Sequence, residues 1–178
     1  MKISVKDMCF IGIFATLISA SAVSIPLPGG VPVTLQTFII MLAGVILGPK
    51  KGMLAVFVYI LIGAVGVPVF SGFRGGFAVI TGPTGGFIMT FPLITLFSGL
   101  GVKGNKIIKL SLWTGAGVIL NYFCGMLWFT FITDHGFRAA FTFCVLPFLP
   151  ADTVKVMLTI ILGRQIKAIL SKGNIYIS

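Results

Sequence analysis

Long apolar runs, separated by short clusters of glycine, proline and lysine, dominate this chain. Runs long enough to cross a bilayer fall at roughly 7–25, 33–48, 52–67, 85–101, 107–132 and 147–169, where ~17 to 25 apolar residues suffice for a helix. The second and third hold about 16 residues each, at the lower limit, so bilayer thinning or close packing has to compensate. Pro26, Pro28, Gly29, Gly30 and Pro32 break the chain after the first run, and Gly48-Pro49-Lys50-Lys51-Gly52 breaks it after the second. The pattern predicts an all-α polytopic membrane protein, a single domain over 1–178 with six transmembrane helices and no extramembrane domain or internal repeat.

Composition agrees. The chain is 57% apolar and 9% charged, with a mean hydropathy of +1.14, well outside the range of soluble domains. A formal charge of +10 would suit nucleic acid if the cations formed a stripe, but they sit in the gaps between runs, where they act as orientation signals. Lys2, Lys6, Lys50, Lys51, Lys103, Lys106, Lys109, Arg164, Lys167 and Lys172 fall on one side, and Arg74 and Arg138 on the other. The positive-inside rule then places both termini in the cytoplasm, within a cell membrane. The basic start, the apolar run and Ala20-Ser21-Ala22 also imitate a cleavable signal, and the charge rule is obeyed with or without the first run. Cys9, Cys124 and Cys144 are too scattered for a disulfide framework or metal site and read as small core residues.

Asp152 and Lys155 are a pair of opposite charges inside the last run. Three residues apart on a helix means about 60° of rotation and ~4.5 Å of rise, so both side chains leave the same face. A charge at membrane depth costs at least ~2.5 to 3.5 kcal/mol and normally faces a bundle interior or wet cavity. The pair therefore marks a ligand site or a pathway, the bland alternative being a plain ion pair at a helix start.

Between the third and fourth runs, Gly66–Gly86 reads GVPVFSGFRGGFAVITGPTGG, with seven glycines, two prolines and three phenylalanines. This irregular outer loop can fold into the mouth of a bundle, where non-helical backbone is tolerated if buried or lining a cavity. Phe70, Phe73 and Phe77 favour burial over a solvated turn. Gly82-Pro83-Thr84-Gly85-Gly86 is no phosphate-binding loop, because Phe87 and Ile88 stand where that motif needs Lys-Ser/Thr. In the first run, Gly12, Thr16 and Ala20, with Ala15 and Ser19 as a parallel row, form a smooth face for packing inside the bundle or docking on a membrane partner. In the fifth, Asn121, Tyr122 and Trp128 place polar atoms at membrane depth; Asn121 and Tyr122 point about 100° apart, so at most one is expected fully in a cavity.

Val31-Pro-Val-Thr-Leu-Gln36, Leu47-Gly-Pro-Lys-Lys-Gly52, Gly63-Ala-Val-Gly-Val-Pro-Val-Phe70, Gly82-Pro-Thr-Gly-Gly-Phe87, Tyr122-Phe-Cys-Gly125 with Trp128, and Pro150-Ala-Asp-Thr-Val-Lys155 together resemble the BioY family, biotin-specific substrate-binding subunits of energy-coupling-factor vitamin transporters. The resemblance covers nearly the whole chain in order. It departs at Phe87, where the family often has Tyr, and at Ala151, where it often has Gly. It implies a six-helix bundle that holds biotin near its outer face and works with a transmembrane coupling subunit and two ATPase subunits. Asp152 and Lys155 would contact the ligand, with Gln36, Tyr122 and Trp128 around them, and Gly82, Pro83, Gly85 and Gly86 would close over the site; Arg74, Thr84 and Asn121 are further candidate ligand contacts beside that resemblance. No cofactor or metal is expected, and no nucleic acid partner. Another vitamin, or solitary ion-driven transport with Asp152 as a proton relay, stays open. An enzyme fits poorly, since the single histidine, His135, has no second His or Glu to complete a metal or general-base site.

Overall fold

The computed structural model describes residues 3–27, 31–102, 104 and 106–172. Pro28, Gly29, Gly30, Lys2 and Lys103, used above as chain breaks and charges, lie outside them. Seven helices occur among the described residues: α1 (Val5–Ala20), α2 (Gln36–Ala64), α3 (Phe77–Thr81), α4 (Gly85–Gly101), α5 (Ile107–Thr133), α6 (Phe137–Cys144) and α7 (Phe148–Lys172). The α2 and α5 helices are each long and apolar enough to cross a membrane, α6 and α7 qualify together across a 48° bend, and α4 is a shorter apolar helix.

The fold is all-helical apart from one short strand pair. Ser24–Ile25 (β1) pairs antiparallel with Val33–Thr34 (β2). The prolines explain the departure: Ile25 and Val31 precede Pro26 and Pro32 and are biased toward extended backbone, so α1 ends at Ala20, short of the end of its apolar run, and the two extended pieces pair.

The second and third apolar runs form the two limbs of α2. Gly48 breaks it with φ 80° and ψ 174°, a conformation open essentially to glycine alone. Pro49 then starts the second limb, where a missing N–H is harmless. The limbs fold back on each other, because the Gln36 amide nitrogen donates to the Tyr59 hydroxyl at 2.8 Å across 23 residues, a separation of about 34 Å in a straight helix. The turn is fastened to α1. Lys51 pairs with Asp7 at 2.8 Å, and Asp7 also closes a capping box with Ser4 at the start of α1.

Close approach of backbones holds the centre. A Cβ on Gly44 would overlap the Thr95 carbonyl oxygen of α4, so this glycine sets the distance between α2 and α4. Thr95 and Ser98 are fully buried there, their hydroxyls returned to backbone carbonyls of Ile40, Phe91 and Ile94. Ile119, Phe131, Val154 and Ile161 are exposed on the outside, the surface a bilayer would cover. Of the cysteines expected in the core, Cys144 is buried and Cys124 half-buried, but Cys9 is exposed.

At Gly48 an alanine would be held where L-residues are strained, so Gly48→Ala should lose ~1 to 3 kcal/mol and lower the thermal unfolding midpoint in detergent. Gly115→Ala, whose Cβ would meet nothing within 4 Å, should leave it unchanged or raise it. Equal midpoints for Gly48→Ala and the parent would show that the turn is not rigidly held.

Candidate functional site

At the start of α7, one helical face presents Asp152 and Lys155, whose side chains are 5% and 8% exposed and meet at 2.6 Å. Both find further partners. The Tyr122 hydroxyl of α5 donates to Asp152 Oδ2 at 2.5 Å. The Thr37 hydroxyl, in the first turn of α2, donates to Asp152 Oδ1 at 3.3 Å and accepts from Lys155 Nζ at 3.0 Å. Three helices thus converge on one neutral pair, as charges taken out of water require. A carboxylate offers about four acceptor sites and an ammonium three donors. By that count the network leaves one acceptor position on Asp152 and one N–H on Lys155 unmatched among the described residues.

These residues form the floor of a cavity. Phe87, Ile88 and Phe91 of α4 and Phe148 of α7 make apolar walls, Asn121 adds an amide, and Val31, Pro32, Thr34, Ser71, Arg74 and Val79 close the rim. Gln36 and Thr84 also line it. The Gln36 amide nitrogen is committed to Tyr59 and to the carbonyls of Val69 and Ile18, so this side chain ties the outer loop to the helices. Asn121 bonds across to α4 through the Phe87 carbonyl and Thr90. Asn121 and Tyr122 both line the cavity, against the expectation that one would. It spans the angle between α4 and α7, and the long phenol reaches α7 while the short amide faces α4.

The glycine-rich element has a packing role. Trp128 does not line the cavity; its indole N–H donates to the Gly82 carbonyl at 2.9 Å. Gly85 and Gly86 are buried, and a Cβ on either would strike Ile80 or Trp128, so these glycines let the start of α4 seat against α5 and bring Thr84 to the cavity. Pro83 is exposed. Phe87, the residue that stands where a Tyr was expected, lies against Gly125, where a Cβ would overlap its ring. Of the three loop phenylalanines, Phe70 is fully buried against Tyr59, but Phe73 and Phe77 are 55% and 66% exposed, contrary to expectation. Val31, Pro32, Thr34 and Val79 stand at the mouth instead.

Sequence reasoning missed Thr37, Ser71, Phe148 and the 31–34 rim. Of these, Ser71 lines the cavity with its hydroxyl buried and unpaired among the described residues. The two small-residue rows of α1 also separate. Ala15 is 3% exposed and packs in the core, Ser19 is half-buried, and Gly12, Thr16 and Ala20 are exposed. The row containing Ala15 therefore serves the bundle, and the other is left uncovered. On the far side of Tyr122 and Asp152, a groove between α5 and α7 is lined by Gly115, Val118, Thr153 and Met157, so the phenol–carboxylate bond is a wall between cavity and groove.

Comparison with known proteins points one way. The pattern of the BioY family matches residues 1–172. The chain is 40% identical to a probable biotin transporter BioY of Pyrococcus horikoshii, over 91% of this chain and 96% of the relative. It is 35% identical to the biotin transporter BioY of Rhodobacter capsulatus, over 94% and 99%, and 39% identical to that of Thermotoga maritima, over 88% and 92%. Its fold is similar to a crystal structure of the S-component for biotin from an ECF-type ABC transporter, with a TM-score of 0.85 and 27% identity over 92% of both chains.

Removing the phenol hydroxyl tests the network. Tyr122→Phe deletes a hydrogen bond to a charged group, which is worth ~1.5 to 3 kcal/mol, and should lower the thermal midpoint of the ligand-free protein. A midpoint equal to the parent's would show that Asp152 does not rely on Tyr122.

Proposed function

The chain belongs to the BioY family, and from that premise we propose that its cavity captures biotin as the substrate-specific subunit of an ATP-driven energy-coupling-factor transporter. The observation that carries the reading is the neutral Asp152–Lys155 pair on the cavity floor, with one acceptor and one donor to spare. A ureido group offers an N–H beside a polarised carbonyl, so it fits both positions without bringing a new charge into a dry site. The valerate carboxylate is better served at the rim, where Arg74 is exposed and its Nε donates to the Ser71 carbonyl at 3.3 Å. Phe87, Phe91 and Phe148 suit the apolar thioether bicycle. The ligand is held without cofactor, metal or bond-breaking and leaves unchanged, so the protein acts as a carrier and not an enzyme.

We read six membrane crossings, α1, the two limbs of α2, α4, α5 and α7, with both termini in the cytoplasm of the cell and the cavity facing outward. The charge distribution supports this, with Arg74 and Arg138 at the cavity end and most other cations in the opposite loops. Energy comes from a transmembrane coupling subunit and two ATPase subunits, in keeping with the assembly named for the structural neighbour. The uncovered Gly12, Thr16 and Ala20 row is the contact we assign to the coupling subunit, since small side chains let a partner helix approach closely.

Mass spectrometry of ligand released from purified protein tests the substrate directly, and release of a different vitamin would overturn it. Asp152→Asn should weaken binding about tenfold to over a hundredfold, for a lost charge-assisted hydrogen bond of ~1.5 to 3 kcal/mol. Unchanged calorimetry on the folded variant would remove Asp152 from the site.

The two rows of α1 should respond differently. Ala20→Trp is expected to leave biotin binding intact while abolishing ATP-dependent uptake. Ala15→Trp overpacks a core by ~1 to 3 kcal/mol and should lower stability, binding and uptake together. Joint loss of all three in Ala20→Trp would sink the docking assignment.

A further inference from the structure

The end of the bundle away from the cavity carries a groove of opposite character. Lys106, just before α5, and Lys109 in its first turn line it with Arg164 of α7, and Trp113, Ile108 and Leu112 supply its apolar side. Lys109 and Trp113 are four residues apart on one helical face, as are Ile108 and Leu112 on the next. From Tyr122 back to Lys109 is thirteen residues, and from Asp152 on to Arg164 is twelve. At helical rise these are about 20 Å and 18 Å, so antiparallel α5 and α7 bring the cations to one level, roughly 20 Å from the buried ion pair.

Among the described residues, no carboxylate side chain lines this groove beside the two lysines. The chain has three acidic residues: Asp7 is paired with Lys51, Asp152 with Lys155, and Asp134 caps the far end of α5. Both lysines are exposed. Ile108 and Leu112 are 76% and 68% exposed beside them, which suits hydrocarbon and not water. Trp113 is held in place against Phe97 at 5.5 Å between ring centroids, and indoles favour the membrane boundary. Cations at headgroup level, an interfacial indole and apolar side chains continuing toward the bilayer together fit an amphiphile with an anionic head.

We propose that this groove binds an anionic phospholipid, with its phosphate between Lys106 and Lys109 and an acyl chain along Ile108 and Leu112. Purified protein in detergent, titrated with phosphatidylglycerol or phosphatidylcholine and read by native mass spectrometry, tests it. The parent should prefer phosphatidylglycerol. Lys106→Gln/Lys109→Gln should weaken that binding about thirtyfold at low salt and leave phosphatidylcholine binding unchanged. Lys106→Arg/Lys109→Arg should keep the preference. So should Lys6→Gln/Lys50→Gln, which removes the same charge outside the groove. Equal phosphatidylglycerol binding by the parent and the groove variant overturns the site, as does an equal loss in the Lys6/Lys50 variant. Displacement of the lipid by inorganic phosphate at millimolar concentration would assign the cations to a soluble anion instead. Failure of the groove variant to assemble with its coupling subunit, with lipid binding unchanged, would assign the surface to a protein and overturn the lipid.

Discussion

Everything in this molecule is arranged around the cost of holding opposite charges where water is scarce. Asp152 and Lys155 neutralise each other, but an ion pair alone does not recover its desolvation cost. The remaining lone pairs and protons have to be met by other groups, and the structure meets them from two further helices, through Tyr122 of α5 and Thr37 of α2. The packing of α2, α5 and α7 is thereby tied to the site. The same economy leaves one donor and one acceptor unmatched among the described residues, on the floor of the cavity.

The scaffold that makes this convergence possible is built from glycine. Gly48 turns α2 back on itself, which sets Thr37 and Gln36 at the same end as Tyr59 and the outer loop. Gly44 brings α2 and α4 to backbone distance, and Gly85 and Gly86 do the same for α4 and α5 at Trp128. Lipid tails are as apolar as leucine, so apolar burial does little to hold such helices together, and close approach with hydroxyl-to-carbonyl bonds carries more of the association. The side chains that a soluble protein would bury face outward here for the same reason.

The two ends of the bundle divide the chemistry. The cavity end is closed by short strands, a short helix and irregular backbone, with one exposed arginine on its rim. The opposite end presents cations on helix starts and a tight turn pinned by Lys51 and Asp7. A ligand with an apolar body and two polar ends suits the first, and a charged interface suits the second.

Period and composition alone determined the helical membrane class, the break at Gly48 and Pro49, the segment bounds of α4, α5 and α7, and the shared inward face of Asp152 and Lys155, because these follow from the cost of backbone and charge in hydrocarbon. The same logic pointed to Tyr122, Asn121 and the glycine-rich loop without saying what each would touch. Only the tertiary structure decided that Trp128 clamps Gly82 instead of facing the cavity, that Gln36 ties the loop down, and that Ala15 is core while Ala20 is surface. Helical spacing gives each side chain a direction but not the helix that stands opposite. Nor could spacing bring Thr37 and Ser71 to the site, since each is an ordinary hydroxyl until a distant segment folds against it.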